Sequence, residues 1–284
     1  MKRFLLTSLI GGLALLSTSR ANAQTFTSIY SFTGGNDGAN PYGNPYGLAV
    51  SNGILYGTAT FGGGFDDGTI FAISTSNSVL TNLYSFTATN PVNGTNGDGS
   101  APNAVLLSGT ILYGTALFGG ASGNGSVFMI NTTGPTFTNL HSFTAVNNDI
   151  NSDGANPVAG LILSDGVLYG TTTNGGQSGS GNVFALNTNG TGFTNLYSFT
   201  ALANHINADG ANPSAPLISS GGVLYGTATF GGKLGNGTVF ALNTNGTSFT
   251  NLHSFSQLNN YVNSEGGYPN GLICSSGVLY GTVT

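Results

Sequence analysis

The acidic residues whose spacing best suits chemistry lie between positions 149 and 154. Asp149, Asn151 and Asp153 alternate with other residues and are followed by Gly154. Alternating oxygen ligands before a glycine form the first half of a calcium-binding loop. The twelfth position of such a loop should hold a bidentate glutamate, but Gly160 stands there. The pattern gives the hypothesis of a weak Ca²⁺ site at Asp149, Asn151 and Asp153, and no other cofactor is expected.

The last of these carboxylates also belongs to a motif that recurs along the chain. The motif is Asp-Gly, then any two residues, then proline. Four copies begin with aspartate and a fifth begins with glutamate: Asp37, Asp98, Asp153, Asp209 and Glu265. An alternative to calcium is a turn in which the carboxylate accepts backbone N–H bonds and proline sets the entry of the next strand. Both interpretations are open at the level of sequence.

Few residues could carry catalysis. His141 and His253 stand where other copies have Tyr84 and Tyr197, so we expect them to replace an aromatic ring. Asp149 and His205 are the non-repeating residues left over, in neighbouring copies of one loop. A polysaccharide hydrolase or lyase would require them to converge in the fold. Otherwise no catalytic residue is predicted.

The elements that must position these residues are repeated strands. The segment Leu-Tyr-Gly-Thr occurs five times, with tyrosines at 56, 113, 169, 225 and 280. A period of this length indicates one supersecondary unit copied along the chain. The third copy predicts four strands at 158–164, 167–173, 182–186 and 193–199, each rich in β-branched or aromatic residues and bounded by turn formers. Glycine inside the second strand, such as Gly170, suggests close approach of a neighbouring blade.

Four antiparallel strands per repeat predict an all-β fold, a β-propeller of about five blades, and a β-solenoid is the alternative. The repeats are placed at 33–86, 87–143, 144–199 and 200–255, with a partial copy at 256–284, in a single domain at 24–284. Residues 26–32 resemble a fourth strand that could close the ring with the last copy. A truncated sequence is the other interpretation of the incomplete copy. Cys274, which aligns with Leu163, is expected to be a buried small hydrophobe.

The N-terminus predicts export. Lys2 and Arg3 precede an apolar stretch at 4–16, and Ala21-Asn22-Ala23 fits a cleavage site, so residues 1–23 read as a signal peptide. The apolar stretch is too short for a convincing membrane span. Cleavage would leave Lys233 as the single basic residue against nine acidic ones, a formal charge of 1 − 9 = −8. Such a chain cannot neutralise a run of phosphates, which excludes nucleic-acid binding.

These motifs together resemble the GloVer tandem repeat of exported bacterial "choice-of-anchor" proteins. The resemblance rests on the Asp-Gly-Ala-Asn-Pro run from Asp153, the segment Leu168-Tyr169-Gly170-Thr171, and the pair Val183-Phe184. It implies a propeller-like fold and a secreted or cell-surface address, and it implies no enzymatic activity. The sequence therefore favours a non-catalytic exported protein, surface-structural or binding a glycan or a protein. A secreted propeller enzyme acting on polysaccharide is the alternative.

Overall fold

The computed structural model describes residues 27–41, 47–257 and 264–283. The predicted signal segment 1–23 lies outside the described residues. Strands and loops make up the described ranges. None of these ranges contains a helix long and apolar enough to cross a membrane.

The strands fall into five consecutive antiparallel sheets, which we call blades I to V. Blade I comprises β1 (Ala49–Ser51), β2 (Ile54–Ala59), β3 (Thr69–Ser74) and β4 (Leu80–Ser85). Blade II comprises β5 (Ser100–Ser108), β6 (Ile111–Phe118), β7 (Ser126–Asn131) and β8 (Phe137–Ser142). Blade III comprises β9 (Ile162–Ser164), β10 (Val167–Thr172), β11 (Asn182–Asn187) and β12 (Thr194–Ser198). Blade IV comprises β13 (Ile218–Ser220), β14 (Val223–Ala228), β15 (Thr238–Asn243) and β16 (Thr250–Ser254), and blade V β17 (Leu272–Ser275) and β18 (Val278–Gly281).

Blades I to IV share one meander topology. Each strand pairs with the next along the chain, in the order first, second, third, fourth. A register shift recurs between the third and fourth strands, for example at Val183/Phe184. The predicted propeller of four-stranded blades is confirmed, and the solenoid alternative is wrong because each repeat closes its own antiparallel sheet.

The predicted second, third and fourth strands of blade III match the structure to within one residue at each end, but the first strand is shorter than predicted. Residues 158–161 precede β9 instead of extending it. The Pro157 carbonyl accepts a bond from the Asn103 amide (2.8 Å), and the Ala159 carbonyl accepts one from the Thr115 hydroxyl (3.2 Å). Side chains of blade II thus use backbone groups that a longer strand would use. Thr115, the threonine of the Leu-Tyr-Gly-Thr segment of blade II, is therefore hydrogen-bonded to the segment that leads into blade III.

Aromatic rings fill the space between adjacent blades. Between blades II and III, the His141 ring stacks on Phe193 at 3.9 Å, and Phe143 packs edge-on against Phe184 at 5.5 Å. Phe143 and Phe184 are fully buried. The same four-ring arrangement recurs at the two neighbouring interfaces, formed by Tyr84, Phe86, Phe128 and Phe137 and by Tyr197, Phe199, Phe240 and Phe249. Sheet-on-sheet packing through these rings is the core of the molecule.

In blades I to IV, the glycine of the second strand accommodates a ring from its own blade. Gly170 is paired with Phe184 in the β10–β11 ladder. A Cβ atom built on Gly170 would lie 2.5 Å from the Phe184 ring and 2.8 Å from Leu161. The expected close approach at this glycine is therefore real, but its attribution to a neighbouring blade is wrong, because a cross-strand phenylalanine lies over it.

Replacing Gly170 with alanine should lower the free energy of unfolding by roughly 1–3 kcal/mol, since the new methyl group overpacks a fully buried ring. Urea unfolding measures the change. Gly134→Ala is the matched control, because a Cβ at Gly134 meets nothing within 4 Å. Equal stability of the two variants would contradict the packing role of Gly170.

The two ends of the described chain differ from the prediction. Residues 27–32 form no strand, although Phe32 keeps the expected ring position, 4.9 Å from Phe71. A fourth-type strand needs a third-type strand as its ladder partner, and no described strand forms a ladder with this segment. The blade V sheet contains β17 and β18, so closure of that sheet by residues 26–32 is not observed in the described part of the chain.

The prediction of a buried Cys274 is wrong. Its side chain is exposed, whereas the equivalent Leu163 packs against the core between blades II and III. No residue of β17 or β18 belongs to a hydrophobic core cluster of the described residues, so Cys274 lacks the apolar neighbours that Leu163 has.

Candidate functional site

The alternation of strand direction separates two faces of the propeller. The hairpin turns lie at one end of each blade, and the longer connections lie at the other. We call the second end the long-loop face, formed by residues 60–68, 86–99, 118–125, 143–161, 173–181, 199–217, 229–237, 255–257 and 264–271. All five recurring carboxylates lie at this end or, for Asp37, in the equivalent loop before blade I.

The recurring carboxylates that follow blades I to IV each bind the end of the preceding fourth strand. The Asp98 carboxylate accepts bonds from the Tyr84 hydroxyl (2.7 Å) and from the backbone N–H (2.8 Å) and hydroxyl (2.5 Å) of Thr87. Its backbone carbonyl accepts the Ser126 hydroxyl of blade II (2.8 Å). We call this arrangement of carboxylate, aromatic donor and threonine the carboxylate staple. It joins the end of one blade to the third strand of the next.

The staple recurs with a histidine in place of tyrosine. The Asp153 carboxylate lies 2.9 Å from Nε2 of His141 and accepts both the N–H and the hydroxyl of Thr144. Asp209 repeats the tyrosine version with Tyr197 and Thr200. Asp153 and Asp209 are both buried. The turn interpretation of the motif is thus confirmed, and the histidine at position 141 does replace tyrosine as ring and donor.

The hydrogen bonds of the staple move the pKa values of its members. Burial opposes ionisation of Asp153, but the bonds from His141 and Thr144 outweigh it and hold the pKa of this carboxyl below its usual range. Burial, together with the bond to the anionic Asp98, raises the pKa of the Tyr84 hydroxyl. Tyr197 has its pKa raised in the same way by burial and Asp209.

Stability should therefore fall at both ends of the pH scale. Asp153 has a lowered pKa in the folded state, so its stabilisation is complete above about pH 4 and is lost as the pH falls through the folded pKa. Tyr84 and Tyr197 have raised pKa values, so their stabilisation is present below about pH 10 and is lost as the pH rises through the folded value. Thermal unfolding between pH 2 and 11 tests this, and Asp153→Asn should flatten the acid limb. An unchanged acid limb in that variant would contradict the assignment.

The predicted calcium ligands point to different partners. Asn151 Oδ1 accepts the N–H groups of Gly154 (2.9 Å) and Gly176 (2.8 Å), and the Asp153 carboxylate is held in the staple. Asp149 is exposed, in a tight turn with a φ of 65°. Two of the three ligands therefore already accept N–H or O–H donors that a cation would have to displace. Within the described ranges, no group of three or more His, Cys, Asp or Glu residues is arranged for a metal ion.

The calcium hypothesis stays a prediction with a direct test. A site at Asp149, Asn151 and Asp153 would give heat on calorimetric titration with Ca²⁺ and a Ca²⁺-dependent rise in Tm, both lost in Asp149→Asn. Asp165→Asn, in an exposed hairpin turn, is the matched control. Absence of heat and of a Tm shift in the unaltered protein would end the hypothesis.

Asp149 and His205 do not form a catalytic pair in the described structure. They occupy the same position of the same tight turn in successive repeats, with φ values of 65° and 68°. In the described residues no hydrogen bond or ion pair joins them. The convergence that an enzyme would require is therefore not observed.

A central cavity of about 780 Å³ is lined by the first strands of all five blades. Its walls include Val50, Leu107, Ile162, Ile218 and Leu272. Among the described residues, the lining side chains are apolar or serine, and none of them is a carboxylate or an imidazole.

Sequence reasoning missed a recurring exposed aromatic on the long-loop face. Phe61, Phe118 and Phe230 lie at or just after the ends of second strands, five residues after the tyrosine of the Leu-Tyr-Gly-Thr segment, and each is 45–49% exposed. Other exposed apolar residues share this face: Phe65, Val146, Ile150, Leu202, Ile206 and Leu234. The constant offset from the tyrosine was visible in the sequence, but only the fold shows that the side chains face outward.

Comparison with known proteins agrees with this architecture. A family model described as "Gloeobacter/Verrucomicrobia repeat" matches residues 12–204 and 150–284. No curated protein matches the chain in sequence. A solved nidogen/laminin complex is similar with a TM-score of 0.52 and 14% identity, over 84% of this chain and 71% of that chain. A gluconolactonase from Xanthomonas campestris gives a TM-score of 0.46 and 14% identity, over 80% and 64% of the two chains. At such identity the first likeness shows the fold alone, and the second carries no argument.

Proposed function

The chain belongs to the Gloeobacter/Verrucomicrobia repeat family, and from that premise we propose an exported, non-catalytic β-propeller that binds a glycan or a surface protein through its long-loop face. The signal-like segment at 1–23 supports export. The family resemblance was expected from the repeated motifs and is confirmed by the match. The proposed binding function rests on the side chains of the long-loop face.

One observation carries the proposal: the long-loop face uses its recurring carboxylates internally and exposes apolar side chains. The carboxylates of Asp98, Asp153 and Asp209 each accept three donors from the protein's own chain. They are therefore poor candidates for acid–base catalysis. Exposed aromatic and aliphatic residues grouped on one face favour an interaction surface.

The charge of the chain limits the class of ligand. With a single lysine after residue 23, the face cannot bind strongly anionic partners. Its loops are rich in asparagine, serine, threonine and glycine, which donate and accept hydrogen bonds without net charge. A neutral glycan or an uncharged protein surface matches this chemistry.

A binding survey of the purified chain tests the proposal. We expect binding to at least one neutral oligosaccharide or surface-protein probe, with loss of affinity when Phe118 and Phe230 are replaced together by serine. A double variant with Val79→Ser and Val278→Ser, exposed residues away from the long-loop face, is the control. Absence of binding to every probe would contradict the proposal. Release of reducing ends or unsaturated products from a polysaccharide panel would favour the enzymatic alternative.

Export has its own test. Expression of residues 1–284 in a bacterial host should give a mature protein outside the cytoplasm whose N-terminal residue is Gln24. Retention of Met1 in a cytoplasmic product would contradict that part of the proposal.

A further inference from the structure

Blade III differs from its neighbours at one point of the long-loop face. Blades II and IV have Phe118 and Phe230 at the end of the second strand, and blade III has Asn174 there. The backbone is the same, because Asn174 pairs with Ala155 as Phe230 pairs with Ala211. A large aromatic side chain is thus replaced by a small amide side chain, while the backbone pairing stays the same.

This replacement accompanies a cleft of about 530 Å³, which we call the blade III cleft. Its polar lining includes Asp149, Asn174, Ser178 and Ser180, and its apolar lining includes Val146 and Leu202. The volume lies within the range of about 300–1,000 Å³ that is usual for small-ligand sites. In blade IV, the position equivalent to Ser178 is Leu234. Blade III therefore has polar residues, Asn174 and Ser178, at two positions where blade IV has apolar ones.

The cleft contains hydrogen-bonding groups that the protein does not use. Neither the Asp149 carboxylate nor the Ser178 hydroxyl has a side-chain hydrogen-bond partner among the described residues. Asn174 is held in place, since its Nδ2 donates to Asn156 Oδ1 (3.1 Å) and its Oδ1 accepts from Asn212 Nδ2 (3.3 Å). A fixed amide beside an available carboxylate and hydroxyl can recognise a ligand with several O–H groups.

The charges around the cleft select an uncharged ligand. No basic residue lines it among those that the structure describes, so an anion has no counter-charge from them. Asp149 is the single charged residue of the described lining, and Asn151 and Asp153 already accept donors elsewhere, so a multivalent cation lacks the usual oxygen ligands. Val146 and Leu202, 40% and 37% exposed, give an apolar wall for the C–H face of a sugar ring.

We propose that the blade III cleft binds a sugar unit of a neutral glycan. Asp149 and Ser178 contact the hydroxyl groups of the sugar, and Asn174, which is smaller than the phenylalanine of blades II and IV, leaves room for the ring. This inference rests on the proposed function and specifies where on the long-loop face the ligand binds. It also gives a role to Asp149, the acidic residue of the loop that does not belong to a staple.

Calorimetry of the full chain with cellohexaose, xylohexaose and maltohexaose tests the site. Asn174→Phe fills the cleft with the residue that blades II and IV carry at this position, so the fold should be kept and a constant Tm checks that it is. We expect affinity to fall at least about tenfold in this variant and in Ser178→Leu, and by about three- to tenfold in Asp149→Asn, consistent with losing one or two hydrogen bonds. Asp165→Asn, on the opposite face, should bind like the unaltered chain.

Each other outcome has a definite meaning. Oligosaccharide binding that is unchanged in Asn174→Phe and Ser178→Leu overturns the cleft assignment and leaves the proposed function standing. Failure of all three oligosaccharides to bind, together with binding to a protein probe, also overturns it and leaves that function standing. Binding that requires Ca²⁺ and is lost in Asp149→Asn overturns the assignment in favour of a cation site. Failure of every probe contradicts both proposals.

Discussion

Phe143→Ala should lower the free energy of unfolding by roughly 3–5 kcal/mol, the range for truncating a buried aromatic ring. Phe143 is fully buried and contacts three rings: His141 at 5.0 Å, Phe184 at 5.5 Å and Phe193 at 6.0 Å. Its loss leaves a cavity at the interface between blades II and III, where close-packed rings cannot relax to fill it. Urea unfolding followed by near-ultraviolet circular dichroism measures the change.

Phe118→Ala is the control for this prediction. Phe118 is the same residue type in the neighbouring part of blade II, but it is 49% exposed on the long-loop face. Its truncation should change the free energy of unfolding by no more than about 0.5 kcal/mol, as is usual for surface positions. Equal effects of the two substitutions would mean that the interblade rings do not form the core.

Asp153→Asn should lower the free energy of unfolding by roughly 1–3 kcal/mol, because at this buried position one carboxylate oxygen becomes an amide donor that faces other hydrogen-bond donors. The N–H and hydroxyl of Thr144 and the Nε2 of His141 converge on this carboxylate, which is 5% exposed. Asp165→Asn makes the same chemical change in an exposed hairpin turn and should be nearly neutral. Equal stability of the two variants would show that the recurring aspartate is only a turn residue.

The repeated unit could be predicted because its signals are local. Turn pairs such as Asp165-Gly166 and stretches rich in β-branched and aromatic residues mark the strands, and the period marks the copies. The first strand was predicted too long because its shortening depends on hydrogen bonds from Asn103 and Thr115 of another blade. Hydrogen bonds between repeats cannot be predicted from the residue pattern of a single repeat.

The candidate site was predicted less well for the same reason. The Asp-Gly motif was visible, but its acceptor role requires the threonine nine residues before Asp153, brought close by the turn of the loop. The Asp67 carboxylate, outside the recurring motif, likewise accepts the backbone N–H of Thr89, 22 residues further along the chain (2.8 Å). The blade III cleft depends on an asparagine that matters only by comparison with the phenylalanines of adjacent blades.

The central claim is that the recurring carboxylate is a structural staple that holds the end of one blade to the loop leading into the next, and a double-mutant cycle across Thr144 and Asp153 tests it most directly. The cycle uses Thr144→Val, Asp153→Asn and the double variant, each measured by urea unfolding at pH 7. The staple predicts a coupling free energy of about 1 kcal/mol or more, because both single changes disrupt the same hydrogen bond, from the Thr144 hydroxyl to the Asp153 carboxylate. Effects that add to within about 0.3 kcal/mol would contradict the claim, since the two residues would then stabilise the fold independently.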